Sequence, residues 1–377
     1  MTFGFQLHQG TVNGPRLGTL TTPHGEVSTP TFMPVATRGM MRGPWPDRLR
    51  PMGVEMMLAN SFHLFARPGV ESVEAMGGLH KMMAWDGPVL TDSGGFQAFS
   101  LAKISKLNDD GWKIAHPVHG AMVDWTPKMA FDVQAGLRPD VAMILDECPA
   151  EPRDRDKVAI AVQRTLRWAK MQRDMHEARG GVASGQAQFG IVQGGVFEDL
   201  RQECARGLTA MEFDGYAIGG VSVGEGHDAM MDGVRHSTSD LPNHKARYLM
   251  GVGTPLDLVE SVARGIDMFD CVYPTRCGRF GTFLSDEGNQ HIHNARFKDD
   301  PRPLLPGCTC DACATGVPRG ALRAGLKERE MLPASLIAHH NVHYLVDLMK
   351  QIRVAIADGS FDALRARINA VYRQPKP

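Results

Sequence analysis

The 377-residue chain has no apolar run near the roughly 18 residues a membrane helix needs. Its opening residues show no basic stretch leading into an apolar one, so no secretion signal is expected. Neither charge is in excess: 41 Lys and Arg against 42 Asp and Glu leave a formal net charge of −1. Bulk charge therefore does not announce a nucleic-acid partner, and any basic surface must be local. Residues 151–179 hold eight basic and five acidic side chains, and 351–377 hold five and two. Excesses this mild fit solvated helix faces. The chain also lacks internal repeats, low-complexity linkers, a P-loop and an H-E-x-x-H pair. Collagen, disordered tails, membrane proteins and small disulfide scaffolds are excluded.

Hydrophobic residues make up 43% and charged residues 22%, enough to bury a sizeable core. At roughly 100–200 residues per domain, this is one large domain or two ordinary ones. Seven cysteines are an odd number, and three of them crowd into six residues, 308–313. That distribution suits a reducing, cytoplasmic setting with a metal site better than a disulfide framework.

Short apolar segments at 54–59, 88–91, 140–145, 189–192, 216–219, 247–250 and 268–269 read as strands. Helical patterns follow most of them, among them 153–179, 200–211 and 256–264. The alternation predicts βα units and a parallel sheet. Asp92, Asp146, Gln193, Gly220, Gly251 and Asp270 each fall just past a different predicted strand. A (β/α)8 barrel assembles its site from many strand ends in this way, whereas an open doubly wound sheet gathers one at a switch point. The expected fold is therefore an α/β (β/α)8 TIM barrel over 1–274. A zinc-binding subdomain with closing helices is expected over 275–377, with no helical period from 275 to about 320.

Cys308-Thr-Cys310-Asp-Ala-Cys313 is followed by His339-His340. Three thiolates and one imidazole form the closed set of a structural zinc site, and adjacent histidines on a helix point to different sides, so one of them binds. Two other patterns compete for attention. Gly220-Val-Ser222-Val-Gly224 matches the nucleophile elbow of serine hydrolases, with Asp270 and His291 following in hydrolase order. It arises easily by chance in a chain with 41 glycines. His291-Ile-His293 and the incomplete glycine loop Gly251-Val-Gly253 are weaker still.

What remains is a set of carboxylates at separate strand ends. Glycosyl chemistry needs this division of labour, one acid as nucleophile or ion stabiliser and another as acid/base. Singly, an Asp after a strand serves equally well as a helix cap.

The segments Ala59-Asn-Ser-Phe-His-Leu, Asp92-Ser-Gly-Gly-Phe-Gln, Asp146-Glu-Cys148 and Gly190-Ile-Val-Gln193-Gly-Gly carry a resemblance. So do Gly219-Gly220-Val-Ser-Val223-Gly-Glu225, Tyr248-Leu-Met250-Gly251-Val-Gly, Phe269-Asp270-Cys-Val and Pro274-Thr-Arg276. With the cysteine cluster, they closely resemble the tRNA-guanine transglycosylases over nearly the whole chain. The resemblance implies a zinc-containing barrel, usually a homodimer, that exchanges the wobble guanine of G-U-N anticodon tRNA for a 7-deazaguanine. It implies Asp270 as the nucleophile and Asp92 as the general acid/base. Ser93, Gly94, Gly95, Phe96, Asp146, Cys148, Gln193, Gly220, Val221, Val223, Glu225, Met250 and Gly251 would bind the base, with Phe96 and Met250 sandwiching its faces. Gly251, Val252, Gly253, Thr275, Arg276, Cys277, Gly278 and Arg279 would meet the tRNA. Cys308, Cys310, Cys313 and His340 would hold one zinc per subunit, His340 being chosen because the His340-Asn341 step matches the family.

Two displacements through a carboxylate restore the natural anomer, which a single inverting one would not. An anticodon-loop base can also be splayed into a pocket. Valine at 223, where the eukaryotic enzymes have glycine, implies 7-aminomethyl-7-deazaguanine rather than the bulkier queuine, and Cys148 fits the same bacterial pattern. Tyr273 before the Pro, and the lack of an Asn-Gly step after Arg279, depart from the common bacterial form. A non-catalytic tRNA-binding relative of the same fold is the alternative from another class, but it would have no use for Asp92, Asp146 and Asp270 together.

Overall fold

The computed structural model describes residues 3–11, 13–96, 105–222 and 224–373. Eight parallel strands form its centre: β1 Thr31–Pro34, β2 Met57–Ala59, β3 Val89–Thr91, β4 Val141–Met143, β5 Ala187–Val192, β6 Gly215–Ile218, β7 Arg247–Leu249 and β8 Met268–Cys271. They pair in sequence order from β2 to β8, and β8 pairs with β1 in the register Asp270 to Met33. The Val35–Leu58 bridge and a 2.7 Å bond from Ala36 N–H to the Leu58 carbonyl close the ring. The expected barrel is present.

Strand residues are buried on both faces, so they read as short continuous apolar runs rather than alternating ones; β5 is buried throughout. Helix Arg155–Ala178 covers part of the outside with Val158, Ala161, Val162, Thr165, Trp168 and Ala169, spaced to make one stripe. Asp154 caps it by accepting the Lys157 N–H.

A repeated device locks the N-terminal end of the barrel. Asp140, Asp214 and Asp267 stand immediately before β4, β6 and β8. Each accepts a backbone N–H from the strand before, Val89, Gln188 and Arg247 respectively, all at 2.8 Å. Asp267 also pairs with Arg16 at 3.0 Å, both side chains being fully buried. Asp140 takes the His24 and His80 rings at 2.8 and 3.0 Å.

Three features depart from the sequence reading. Strand β1 lies between Pro30 and Pro34, which mask it as a turn. Antiparallel sheets at Gly4–Gly10, Arg16–Thr22 and Gly25–Thr29, and at Ser105–Asn108, Gly111–Ala115 and Met122–Trp125, went unread because their strands carry polar residues and glycine among the apolar ones and form no continuous apolar run. The second sheet sends the Trp125 indole N–H to the Ser93 carbonyl at 3.0 Å, under the catalytic face. The stretch 275–320 is not free of helix: Tyr273–Arg279 and Asp311–Ala314 are helical. Pro274, at the expected end of the barrel part, sits in the first helical turn, where its missing N–H costs nothing. Asp270 lies within β8 rather than past its end.

After β8 the chain forms a small apolar cluster of Phe283, Ile292, Phe297, Leu304, Leu322 and Ile337. Helix Met331–Asp358 then returns to the barrel, packing Leu345, Leu348 and Ile352 with Phe32, Leu249 and Phe269.

Replacing Asp267 with Ala strands the buried Arg16 guanidinium and frees the Arg247 N–H. The expected loss is about 3–5 kcal/mol of unfolding free energy, read as a lower urea midpoint.

Candidate active site and metal centre

The C-terminal strand ends open into one cavity of about 560 Å³, a size suited to a small heterocycle with an attached sugar. Three carboxylates point into it from β3, the β4 loop and β8.

Asp270 accepts the Tyr248 hydroxyl at 2.5 Å and the Gly251 N–H at 2.8 Å on the same oxygen. Burial raises its pKa, and these two donors pull it back. Tyr248 itself is driven well above the ordinary phenol range by burial and by Asp270, so it remains a donor. Asp92 accepts the Ser61 N–H at 3.0 Å and the Asn60 side-chain amide. Burial pushes its pKa up to about 7; the Ser61 bond opposes the rise and the Asp270 charge adds to it. Asn60 also caps helix Ser61–Ala66 by accepting the His63 N–H at 2.8 Å. Burial thus raises both acids of the cavity, Asp92 to about 7, while two donors on one oxygen oppose the rise at Asp270.

Asp146 accepts the Gln193 amide at 2.6 Å and the Ser93 hydroxyl at 3.4 Å. Burial lifts it to about 6 against those bonds. The buried Gln193 Oε1 has no donor, so this wall offers an acceptor pair to a ligand carrying N–H groups. A Cβ on Gly220 would lie 2.2 Å from that oxygen, and Gly220 has φ +61°, so both space and backbone require glycine there. Arg201 lies behind this wall, fully buried. It donates to the carbonyls of Gly195 at 2.7 Å, Gly219 at 3.2 Å and Gly220 at 3.0 Å.

Asp92, Ser93, Gly94, Phe96, Asp146, Cys148, Gln193, Gly220, Val221, Met250, Gly251, Asp270 and Arg276 all line the cavity. Burial pushes the Cys148 thiol up to about 12, so it is protonated. Gly95 lies behind the wall, where a Cβ would come 3.1 Å from the Asp146 carbonyl. Glu225 turns to accept the Ser222 N–H. Val252 is buried in the core, and a Cβ on Gly253 would meet Cys271 at 2.3 Å. Thr275 is buried, the Cys277 thiol accepts an N–H from the Asn341 side chain at 3.3 Å, and Gly278 packs against Ala338, so these three face helix Met331–Asp358. Val223 lies outside the described residues. Tyr248, Asn60, Ser61, His63 and Arg201 were not singled out from sequence, although all but Arg201 lay inside segments already quoted.

The serine-hydrolase alternative lacks its base. Among the described residues no histidine hydrogen-bonds the Ser222 hydroxyl, and His291 instead pairs with Thr282 at 3.0 Å.

The ligand atoms of Cys308, Cys310, Cys313 and His340 all lie within 4.8 Å of one another. The three sulfurs sit 3.7, 3.6 and 3.5 Å from His340 Nδ1. Tetrahedral arms of about 2.3 Å to sulfur and 2.0–2.1 Å to nitrogen require S···N separations of about 3.6 Å, so the donor set fits a metal ion of that size. His340 Nε2 donates to the Leu284 carbonyl at 2.9 Å, which leaves the Nδ1 lone pair facing the thiols. His339 turns away, toward Asp311 at 3.9 Å. Beside it, Asn341 accepts the Leu284 N–H and donates to the Pro274 and Thr282 carbonyls at 2.9, 3.1 and 2.8 Å. The metal helix therefore holds the segment leading away from β8. His24, His80 and Asp140 also converge, but that carboxylate is already saturated by both rings and the Val89 N–H.

A closed parallel barrel with carboxylates gathered at its C-terminal strand ends defines a (β/α)8-barrel enzyme. The family model described as Queuine tRNA-ribosyltransferase matches residues 12–374. A queuine tRNA-ribosyltransferase of Stenotrophomonas maltophilia is 48% identical over 353 residues, 93% of this chain and 92% of that one. Those of Xanthomonas axonopodis pv. citri and Ruegeria pomeroyi are 46% and 44% identical; they cover 99% and 98% of this chain and 97% and 96% of their own. The chain belongs to the queuine tRNA-ribosyltransferase family, a family of pentosyltransferases. No described helix is long and apolar enough to cross a membrane.

Because Asp92 titrates near 7 when folded but near 4 when unfolded, folding takes up a proton between those values. The folded state is favoured least above pH 7, and the penalty fades as pH falls toward 4. Asp92→Asn should therefore raise Tm by a few degrees at pH 8 and by progressively less toward pH 4, measured by calorimetry.

Proposed function

We propose that this protein exchanges the wobble guanine of G-U-N anticodon tRNA for 7-aminomethyl-7-deazaguanine by double displacement. The observation that carries this reading is the pair Asp92 and Asp270, buried in one cavity with different hydrogen-bond partners: Asp92 raised to about 7, Asp270 held by the Tyr248 hydroxyl and the Gly251 N–H.

In this reading the ionised Asp270 attacks the ribose anomeric carbon as the guanine departs, forming an aspartyl–ribose ester. Tyr248 and Gly251 bind one oxygen of Asp270 and aim the other. Asp92, with a pKa near neutrality, gives a proton to the leaving base and later takes one from the incoming base. The incoming nitrogen displaces Asp270 and the natural anomer returns. Asp146, Gln193 and the backbone at Gly220 grip the amide and amino edge of the base, which supplies the N–H groups that Gln193 Oε1 lacks. Phe96 and Met250 cover its faces, and valine rather than glycine at position 223 of the sequence favours the smaller base over queuine. Glu225 offers a carboxylate to the aminomethyl cation.

The Cys308, Cys310, Cys313 and His340 set takes one zinc, whose role is structural because all four positions are protein donors. The dimer expected for the family finds support in exposed Met40, Trp45, Met331 and Leu332. Their two segments are joined where Ser335 donates to the Gly43 carbonyl at 2.6 Å.

Labelled guanine should enter unmodified G-U-N tRNA, and 7-aminomethyl-7-deazaguanine should block that entry while queuine does not. Absence of incorporation by folded, zinc-loaded protein would overturn the assignment. Asp270→Asn should bind tRNA but form no covalent adduct on denaturing gels, with turnover down at least a thousandfold, roughly the cost of losing a nucleophile. Single-turnover adduct formation should decline above pH 7, as Asp92 loses the proton it donates, and this limb should vanish in Asp92→Asn. Elemental analysis should find about one zinc per chain, lost with a large fall in Tm in Cys310→Ser.

A further inference from the structure

Four arginines stand on two segments that flank one edge of the cavity, which Thr37 and Arg276 line. Arg38 and Arg42 lie on the loop after β1, Arg276 and Arg279 on helix Tyr273–Arg279 after β8. Because β1 and β8 are hydrogen-bonded neighbours, both segments rise from the same edge of the barrel. Arg276 lines the cavity itself, and His63 lines it from the next strand end. Arg279 is pinned by its bond to the Thr275 carbonyl at 3.0 Å. The mutual proximity is also electrostatic. His63 is held below its ordinary pKa by burial and by the charges of Arg38 and Arg42. Arg279 is likewise lowered by burial and by Arg42 and Arg276.

Some surface arginines, such as Arg155 and Arg302, lie against carboxylates, and others, such as Arg179 and Arg323, stand apart and donate to carbonyls. Among the described residues none of these four lies against a carboxylate. Gathering unpaired cations costs free energy in the free protein, and the cost is recovered when a polyanion arrives. Such a polyanion must also approach a cavity containing Asp92 and Asp270, so cations at its mouth offset a like-charge barrier. With a net charge of −1 over the chain, attraction has to be local.

We infer that Arg38 and Arg42 complete, with Arg276 and Arg279, a phosphate-binding rim that holds the sugar–phosphate backbone on either side of the nucleotide entering the cavity. This rests on the tRNA reading above and extends it to a loop that the sequence did not mark. The rim reads no base; it positions the chain so that one base drops toward Asp270.

The test is binding of unmodified G-U-N tRNA as a function of sodium chloride, with wild type, Arg38→Ala, Arg42→Ala, the double Lys variant and Arg373→Ala as a remote control. Each Ala variant should weaken binding severalfold at 0.15 M salt and reduce the slope of log K against log salt by about 0.7–0.9, one phosphate contact each. The Lys variant should keep the wild-type slope, and the control should match wild type. In exchange assays the KM for tRNA should rise while that for the free base stays within twofold. Unchanged slopes in both Ala variants would overturn the rim. So would weaker binding accompanied only by dissociation to monomers in light scattering, because the loop would then serve a second copy. A wild type that binds tRNA with a steep slope yet exchanges no base would sink the proposed reaction and leave the rim standing.

Discussion

Closure of the barrel between β8 and β1 is the constraint on which the rest depends. It fixes Asp270 opposite Met33 and brings the loop after β1 beside the helix after β8. It also brings carboxylates separated by scores of residues into one cavity. A parallel ring can close only if its strands are buried on both faces, and burial is what gives those carboxylates unusual acidities. The two ends of the barrel use aspartate in opposite ways. At the N-terminal end, Asp140, Asp214 and Asp267 are saturated by backbone N–H groups and by histidine or arginine side chains, and serve to lock neighbouring strands. At the C-terminal end, Asp92, Asp146 and Asp270 line the cavity.

Burial of carboxyls against the cavity is where stability and chemistry part. Burying Asp92 near a second carboxylate opposes folding at neutral pH, and the surrounding framework holds it there nonetheless. Asn60 and Ser61 orient it, and Tyr248 and Gly251 donate to the neighbouring Asp270 and oppose the upward shift that burial imposes there. Arg201 plays the corresponding part for the base-facing wall. It is a buried cation satisfied by carbonyls, lowered by burial to about 10 and still charged, and it fixes the turn that presents Gly220.

The metal centre belongs to the same design, although it is not at the cavity. His340 binds with the thiol set and Asn341, its neighbour, holds Pro274, Thr282 and Leu284. One turn of one helix thus couples the Cys308, Cys310, Cys313 and His340 set, which could hold a metal ion, to the segment that carries Arg276 and Arg279. Gly278 is the point of contact, since a Cβ there would lie 2.7 Å from the Ala338 backbone.

By itself the sequence determined the barrel class, the metal ligands and the acids at the strand ends. Each of these is written in local spacing: βα alternation, C-x-C-x2-C, and Asp directly after an apolar run. The choice of His340 over His339 was also legible, through the step to Asn341. Only the tertiary structure decided what depends on through-space neighbours. Strand β1 hid between prolines because its strand character comes from pairing with β8, not from its own composition. Thr275, Cys277 and Gly278 sit in a segment rich in arginine, yet helix packing turns them inward while Arg276 faces the cavity. Tyr248, Arg201, Arg38 and Arg42 act on groups far away in the chain, and no periodicity records that. The different settings of Asp92 and Asp270 are likewise absent from the sequence, because a carboxyl's acidity is set by what surrounds it after the barrel has closed.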